Sequence, residues 1–455
     1  MNQAKKRTVL IFAHECAPYN RPESTIGAQR PAQFAKWLPE FGWRAIVICC
    51  DAAHRRVAHR SDLAAIRREV KSRLADANPD HSIVIPTPSL VSDGILDALA
   101  QSFYTGRARR LPGARCLRKP LTALKLFTGD YSQSWQPCAI AAAEEVEEGG
   151  RIDACLAEHS PDAGFYLARW YSRQFQVPWL ADFRDPALQP LGRLASAIYE
   201  PWLRRLLRSA AVTINVNPYW ASLDRSYFGR PAECVPNGFD PSEFPAAPPR
   251  RHSGGLHVVY LGSILHPYQR MEIFLDGLRA LKESDPDRRC PVLFTYIGGA
   301  DREVRQFAND RSVGDFVRTM GRVERPAALA VAGEADVLLV LGAVAPKDHE
   351  WYSHGVVPGK LVEYLGLRKP ILCVPSDRGL IEELLRETRA GTTRDSPADV
   401  AAFLAASART TQSGHSLDFR PDTDAVARYS RRNQAGRIAE ILDRCVAEYK
   451  GAGSN

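Results

Sequence analysis

At 455 residues, 45% hydrophobic and 25% charged, the chain is too long for one ordinary core and has the composition of a folded, two-domain protein, not of a disordered one. Its net charge of +8 favours an anionic partner, and nucleotide, lipid phosphate, acidic membrane surface and nucleic acid all qualify. No stretch reaches the roughly 18 apolar residues of a membrane span, and ten cysteines without a C-x-x-C pair read as buried small hydrophobes of a reducing compartment, not as a disulfide frame or zinc site.

Lys5-Lys6-Arg7 before Val9–Ala13 has the flanks of a signal peptide, but the apolar part is five residues long and meets His14-Glu15 at once. It predicts a first β-strand. A loop over 14–27 follows, then a helix over 28–40 and a strand over 45–50: a βαβ unit, whose right-handed crossover implies a parallel sheet. Gly27 falls where such folds bring backbone close to a ligand, though a glycine there also serves close packing. Residues 52–135 are less regular. Helices are predicted over 62–77 and 93–104, a short strand over 83–85, and no period over 105–130. Between residues 55 and 125 there are fourteen Lys/Arg against six Asp/Glu, Arg107, Arg109, Arg110, Arg115, Arg118 and Lys119 among them. Such a run reads either as a solvated face or as a surface resting on anionic lipid headgroups. Nucleic acid is not indicated, because no zinc spacing, recognition helix or aromatic-laced strand accompanies the charge.

Regularity returns with a strand over 153–157, then Glu158-His159-Ser160 and a helix over 163–174. The apolar strand 179–181 delivers Asp182, Arg184 and Asp185 to its tip, where Pro186 stops it. Polar groups at the carboxyl ends of parallel strands are where open α/β sheets bind ligands. Two carboxylates flanking an arginine can bind sugar hydroxyls, orient an acceptor nucleophile, or neutralise each other. His159 stands at an equivalent tip, either as a structural histidine or as a ligand contact. A helix over 201–208 and a strand over 211–216 lead to the turn Pro236-Asn237-Gly238-Phe239-Asp240. The composition of 245–255 is that of a linker.

The pattern then restarts. A strand over 257–261 ends in Gly262-Ser263. Gln269-Arg270 precedes a helix over 271–282. A strand over 293–297 ends in Gly298-Gly299, and Gly321-Arg322-Val323 precedes a helix over 326–332. After a strand over 337–341 the loop containing Gly355, Pro358 and Gly359 runs into a helix carrying Lys360, Leu361 and Glu363. Lys360 and Glu363 share a face. They form either a solvated intrahelical pair or a grip for a phosphorylated, hydroxyl-bearing ligand. In the second case helix-end amides and the lysine meet phosphate, and the carboxylate meets vicinal hydroxyls. A strand over 371–374 and a long amphipathic helix over 424–449 complete the chain.

Glu363-Tyr364 with Lys369-Pro370-Ile371 resembles the nucleotide-sugar signature of retaining glycosyltransferases of family 4. Gly27 with Gln29-Arg30 resembles the acceptor-side loop of that family, and Pro236–Asp240 the sequence closing its first domain. Ala181-Asp182-Phe183-Arg184-Asp185-Pro186 is similar to a subgroup variant of its His-Asp element. Two positions depart from the pattern: Gly355 stands where a second glutamate is common, and Ser263 where an arginine usually meets the diphosphate. The resemblance implies two facing Rossmann-like domains with a shared cleft, the GT-B arrangement. These are an acceptor domain over 1–245 with an insertion at about 52–135, a linker over 246–255, a nucleotide-sugar domain over 256–425, and a crossing helix and tail over 426–455. It implies donor contacts from Gly262, Ser263, Arg270, Gly298, Arg322, Val323, Pro358, Gly359, Lys360, Leu361 and Glu363. Acceptor contacts fall to Gly27, His159 and Arg184, and Asp182 or Asp185 orients the acceptor hydroxyl. Retaining transfer from a nucleoside-diphosphate sugar to a sugar or lipid-linked glycan follows, with no cofactor beyond the co-substrate and no metal. The expected place is the cytoplasm, peripheral on the membrane through residues 55–125. A nucleotide-sugar 2-epimerase and an inactive nucleotide-sugar-binding scaffold share the architecture and remain as alternatives.

Overall fold

The computed structural model describes the chain apart from residues 1–5, 21–26, 55–56, 91–132, 160, 188–192, 245–254, 288, 345–355 and 453–455. It divides into two compact units, Met1–Pro236 with Gln434–Asn455, and Asn237–Asn433. The division falls inside the Pro-Asn-Gly-Phe-Asp turn, ahead of the proline-rich 245–255 stretch.

In the first unit seven strands run parallel: β1 (Arg7–Phe12), β2 (Trp43–Cys50), β3 (Ile83–Thr87), β4 (Ala154–His159), β5 (Trp179–Phe183), β6 (Val212–Asn215) and β7 (Ala232–Cys234), in the order β3-β2-β1-β4-β5-β6-β7. Val9, Leu10, Ile11 and Phe12 are all fully buried, as a strand covered on both faces requires. Phe12 pairs with Ile48 on one side and Ala157 on the other, so β1, β2 and β4 end nearly level.

The second unit repeats the plan with six parallel strands: β8 (Leu256–Leu261), β9 (Val292–Ile297), β10 (Val317–Thr319), β11 (Val337–Val340), β12 (Ile371–Cys373) and β13 (Gly391–Thr393), ordered β10-β9-β8-β11-β12-β13. In each unit the strand order reverses beside its first strand. The carboxyl edge at such a reversal is the natural ligand crevice of an open α/β sheet.

Several elements differ from expectation. Residues 63–87, assigned to an insertion, supply the helix Leu63–Asp76 and the sheet strand β3. The helix expected at 201–208 spans Arg193–Leu207, with Pro201 inside it. Tyr199, Leu203, Leu206 and Leu207 bury along one face, and that stripe begins ahead of the proline that looked like a helix start. Strands β7, β10 and β13 are three residues each, too short to show a period.

The helix expected over 424–449 is two helices, Thr423–Ala427 and Arg431–Ala452. Between them Phe239 takes the backbone: its N–H donates to Tyr429 and its carbonyl accepts from Arg431. Ser430 Oγ then accepts from the Asn433 N–H at 3.2 Å, starting the second helix. That helix returns to the first unit, where Ile438, Ile441, Leu442 and Val446 join Val9, Ile11, Ala45 and Leu156 in one apolar cluster.

The described cysteines are free thiols, all buried except half-buried Cys234. No described helix is long and apolar enough to cross a membrane. Part of the basic run, including the helix expected at 93–104 and the arginines from 107 onward, lies outside the described residues. Within the described part, Arg67 is paired with Glu144 and Arg73 with Glu69.

Candidate functional site

In the second unit, residues converge at the carboxyl edge of β8. Gly262 follows the strand at φ +91, a conformation that favours glycine. Tyr364 fixes this turn from below: its hydroxyl accepts a 2.9 Å hydrogen bond from the Leu261 N–H. Tyr296 fixes it from the side, donating to the Gly262 carbonyl at 3.1 Å. A side chain at Gly298 would collide with that carbonyl, so the Gly298 contact expected from sequence is one of close backbone approach.

Lys360 reaches this turn from the helix Gly359–Leu367. Its Nζ donates to the Tyr260 hydroxyl and, at 2.9 Å, to the Ser263 carbonyl, and it lies 3.8 Å from the centre of the Tyr260 ring. Tyr260 itself stacks on Tyr296 with centroids 5.7 Å apart. The ammonium thus rests on an aromatic face and a carbonyl, without a carboxylate partner among the described residues. Burial lowers its pKa to about 7.

Glu363 does not pair with Lys360. Its Oε1 accepts from Arg325 Nε at 2.8 Å, and Arg325 Nη2 reaches Glu243 at 2.7 Å. Burial disfavours the guanidinium charge, but the two carboxylates outweigh it and raise the Arg325 pKa. Arg325 was not singled out in the sequence. It opens the helix Arg325–Gly333, 38 positions before the glutamate it holds, so no local pattern joins them.

The remaining expected donor residues divide into two groups. Pro358 caps the helix in extended backbone, accepting from the Leu361 N–H at 2.9 Å, and Gly359 is its first residue. Arg322 is exposed, with its guanidinium packed against Gly299. Arg270 is exposed ahead of the helix Met271–Ser284 and has no ion-pair partner among the described residues. Ser263 contributes its carbonyl. Leu361, by contrast, is fully buried, and half-buried Val323 packs against the same apolar cluster.

In the first unit a second constellation lies at the carboxyl edge of β1, β4 and β5. Asp182 is fully buried and accepts two bonds from Arg30, 2.7 Å from Nε and 2.8 Å from Nη2. Arg30 also donates to the Pro236 carbonyl at 3.2 Å. Both Asp182 oxygens are therefore committed, and the residue is not a free base as β5 presents it. Arg184 pairs with Glu158 at 3.2 Å and packs over Gly27, where any side chain would meet the guanidinium. His159 Nε2 lies 3.0 Å from Asp162 and its ring stacks on Phe165, which makes it a packed, paired histidine. Asp185 alone of the expected group is exposed and without a partner among the described residues.

Two residues that the sequence reading used only to end β1 belong to this edge. His14 and Glu15 are both buried, with Nδ1 3.8 Å from Oε1. Burial opposes protonation of His14, yet Cys50 and Glu15 together lift its pKa to about 9. The signal available was their position immediately after the first strand.

No protein-family model and no curated protein matches this sequence. Solved structures do. Anabaena Alr3699/HepE in complex with UDP and glucose aligns over 96% of this chain and all of its own, at 15% identity and a TM-score of 0.52. A glycosyltransferase from Rickettsia africae aligns over 97% and 99%, at 11% identity and 0.53. The N-terminal domain of Candida albicans trehalose-6-phosphate phosphatase aligns over 98% of both chains, at 12% identity and 0.57. These likenesses show the fold: two parallel-sheet α/β domains of the GT-B type, shared with nucleotide-sugar glycosyltransferases.

Proposed function

We propose that the chain is a retaining glycosyltransferase of the family 4 type, moving a sugar from a nucleoside-diphosphate sugar to an acceptor hydroxyl in cell-surface polysaccharide or glycolipid assembly. The carrying observation is Lys360: an ammonium without a carboxylate partner among the described residues, held at a glycine turn on the carboxyl edge of a Rossmann-like sheet. A diphosphate supplies the missing counter-charge, and the amides that open the helix Gly359–Leu367 add to it. Arg270, exposed and unpaired among the described residues, serves as the second cation where Ser263 replaces the family's arginine.

Glu363 accepts the ribose hydroxyls, with Arg325 fixing one of its oxygens so that Oε2 faces the sugar. Asp185 orients the acceptor hydroxyl, and Arg184 and Gly27 line its approach. Asp182 acts through Arg30 as a positioning residue. Stabilising the leaving diphosphate by cations and amides is electrostatic catalysis in the usual sense, and the diphosphate oxygen itself can take the acceptor proton. HepE was solved with UDP and with glucose, a ligand pair of the kind this reading requires.

The test is nucleoside-diphosphate release from a panel of nucleotide sugars, with and without polyprenyl-phosphate-sugar acceptors. Acceptor-dependent release that is lost in Lys360→Ala supports transfer. An isomerised nucleotide sugar formed without acceptor would replace this reading with an epimerase, and binding without turnover in every pairing would leave a scaffold. A peripheral membrane site through residues 55–125 is a separate part of the proposal. Sedimentation with vesicles should show a preference for anionic over neutral lipid that fades as salt rises.

A further inference from the structure

Two neighbouring helices of the first unit, Ala163–Phe175 and Arg193–Leu207, carry arginines that meet no carboxylate. Arg173, Arg204, Arg205 and Arg208 are exposed, Arg169 is half-buried, and none has an ion-pair partner among the described residues. Arg204 donates to the Tyr227 carbonyl at 2.8 Å and lies over the Tyr227 ring, and Arg230 donates to the Arg208 carbonyl. The carboxylates nearby are committed elsewhere. Glu200 accepts from the Tyr227 hydroxyl at 3.0 Å, Asp224 from Asn215 at 2.8 Å, and Glu233 holds Arg437 and Arg444.

The cations also crowd one another. Arg169 Nε is buried without a hydrogen-bond partner, and burial, Arg173 and Arg205 together hold this guanidinium below the usual arginine pKa. Helix C-termini attract cations, which accounts for Arg173, Arg204 and Arg205 in their last turns but not for Arg169 in mid-helix. Apolar groups are interleaved with the charge. Half-buried Trp202 packs on Tyr166 with ring centroids 5.5 Å apart, and Ala197 and Pro201 are exposed on the same helix. Tyr166 and Arg169 are three positions apart, as are Trp202 and Arg205, so each helix sets a ring and a cation on one face. Arginines beside Trp and Tyr suit a membrane interface, where rings sit at headgroup level and cations meet phosphate. A single soluble anion would reach one or two of these arginines, whereas a charged bilayer meets them together.

We propose that this face of the helices Ala163–Phe175 and Arg193–Leu207 docks on a bilayer of anionic phospholipid, with Arg173, Arg205 and Arg208 on headgroup phosphates and Trp202 at headgroup level. It is a lipid contact made by folded helices, distinct from one made by residues 55–125, and it does not depend on glycosyl transfer.

The full chain is sedimented with vesicles of phosphatidylcholine alone and of equal parts phosphatidylcholine and phosphatidylglycerol. Binding to the anionic vesicles is expected. The combined variant Arg173→Gln, Arg205→Gln, Arg208→Gln should weaken it about a hundredfold, since each basic residue near such a surface adds about fivefold. None of the three side chains has a hydrogen bond or ion pair among the described residues, so melting temperature and UDP affinity should stay at the parent values. Pro201→Glu sets an acidic group on the same helix, at an exposed interior position that suits glutamate better than proline, and should also weaken vesicle binding. Equal binding to both kinds of vesicle, or anionic binding that survives both variants, would overturn the proposal. A DNA duplex bound more tightly than the vesicles and lost in the same variants would reassign the surface to nucleic acid. Displacement by soluble glycerol phosphate would reduce it to a point site for phosphate, and either result ends the lipid assignment.

Discussion

The two sheet edges treat charge in opposite ways. In the first unit Arg30 and Asp182 neutralise each other completely, away from water, through two parallel hydrogen bonds. In the second, Lys360 faces a tyrosine and a carbonyl, with no carboxylate partner among the described residues. A closed pair of this kind organises its surroundings, and removing one member strands the other. An ammonium lacking a counter-ion is disfavoured where it sits and gains when an anion arrives. The difference separates residues that hold a site from residues that bind in it, a distinction that residue type alone does not make.

The largest expected effect tests the closed pair. Asp182→Asn should cost about 3–5 kcal/mol of folding stability by leaving the Arg30 charge buried and unpaired, measured by urea unfolding. A variant as stable as the parent but inactive would move Asp182 from scaffold to chemistry and erase the contrast. Lys360→Met should do the reverse. It should weaken UDP binding by about 1.5–3 kcal/mol in calorimetry, with little loss of stability, because it deletes a charged contact to a ligand rather than a structural pair.

Glu363→Ala should weaken nucleotide-sugar binding by about 1–3 kcal/mol. Unchanged affinity in a folded variant would remove Glu363 from the site and leave it as a partner of Arg325. The smallest effect is on pH. Free Lys360 is charged below about 7 and neutral above it, whereas a bound diphosphate keeps it charged. UDP affinity should be level below pH 7 and fall above it, by about 1.4 kcal/mol for each unit in which binding must take up a proton. Titrations at several pH values check this, and the Lys360→Met variant should lose the dependence.

Much of the architecture was legible because it is written locally. Apolar runs of four to six residues announced β1, β8 and β9, and the glycine directly after β8 marked the turn at Gly262. What stayed hidden depends on distant partners. Arg30 and Asp182 are 152 positions apart, and only folding shows that they close on each other. Glu363 was visible as a carboxylate, yet its hold by Arg325 was not. Leu361 looked like part of the ligand-facing motif, but helical geometry turns it into the core beside Lys360, since adjacent residues on a helix do not share a face. The break at 428–430 was invisible for the same reason: its cause is Phe239, nearly two hundred residues earlier.

The return of residues 434–452 to the first unit sets an order of assembly. Until that helix is made, Val9, Ile11 and Leu156 on β1 and β4 lack the cover that Ile438, Ile441 and Leu442 provide. A ribosome adding about 5–20 residues per second needs roughly 10–40 seconds to cross the intervening unit. For that interval part of an apolar sheet face in the nascent chain lacks its final cover, a natural target for chaperone capture, and the second unit is complete before the helix that closes the first is made.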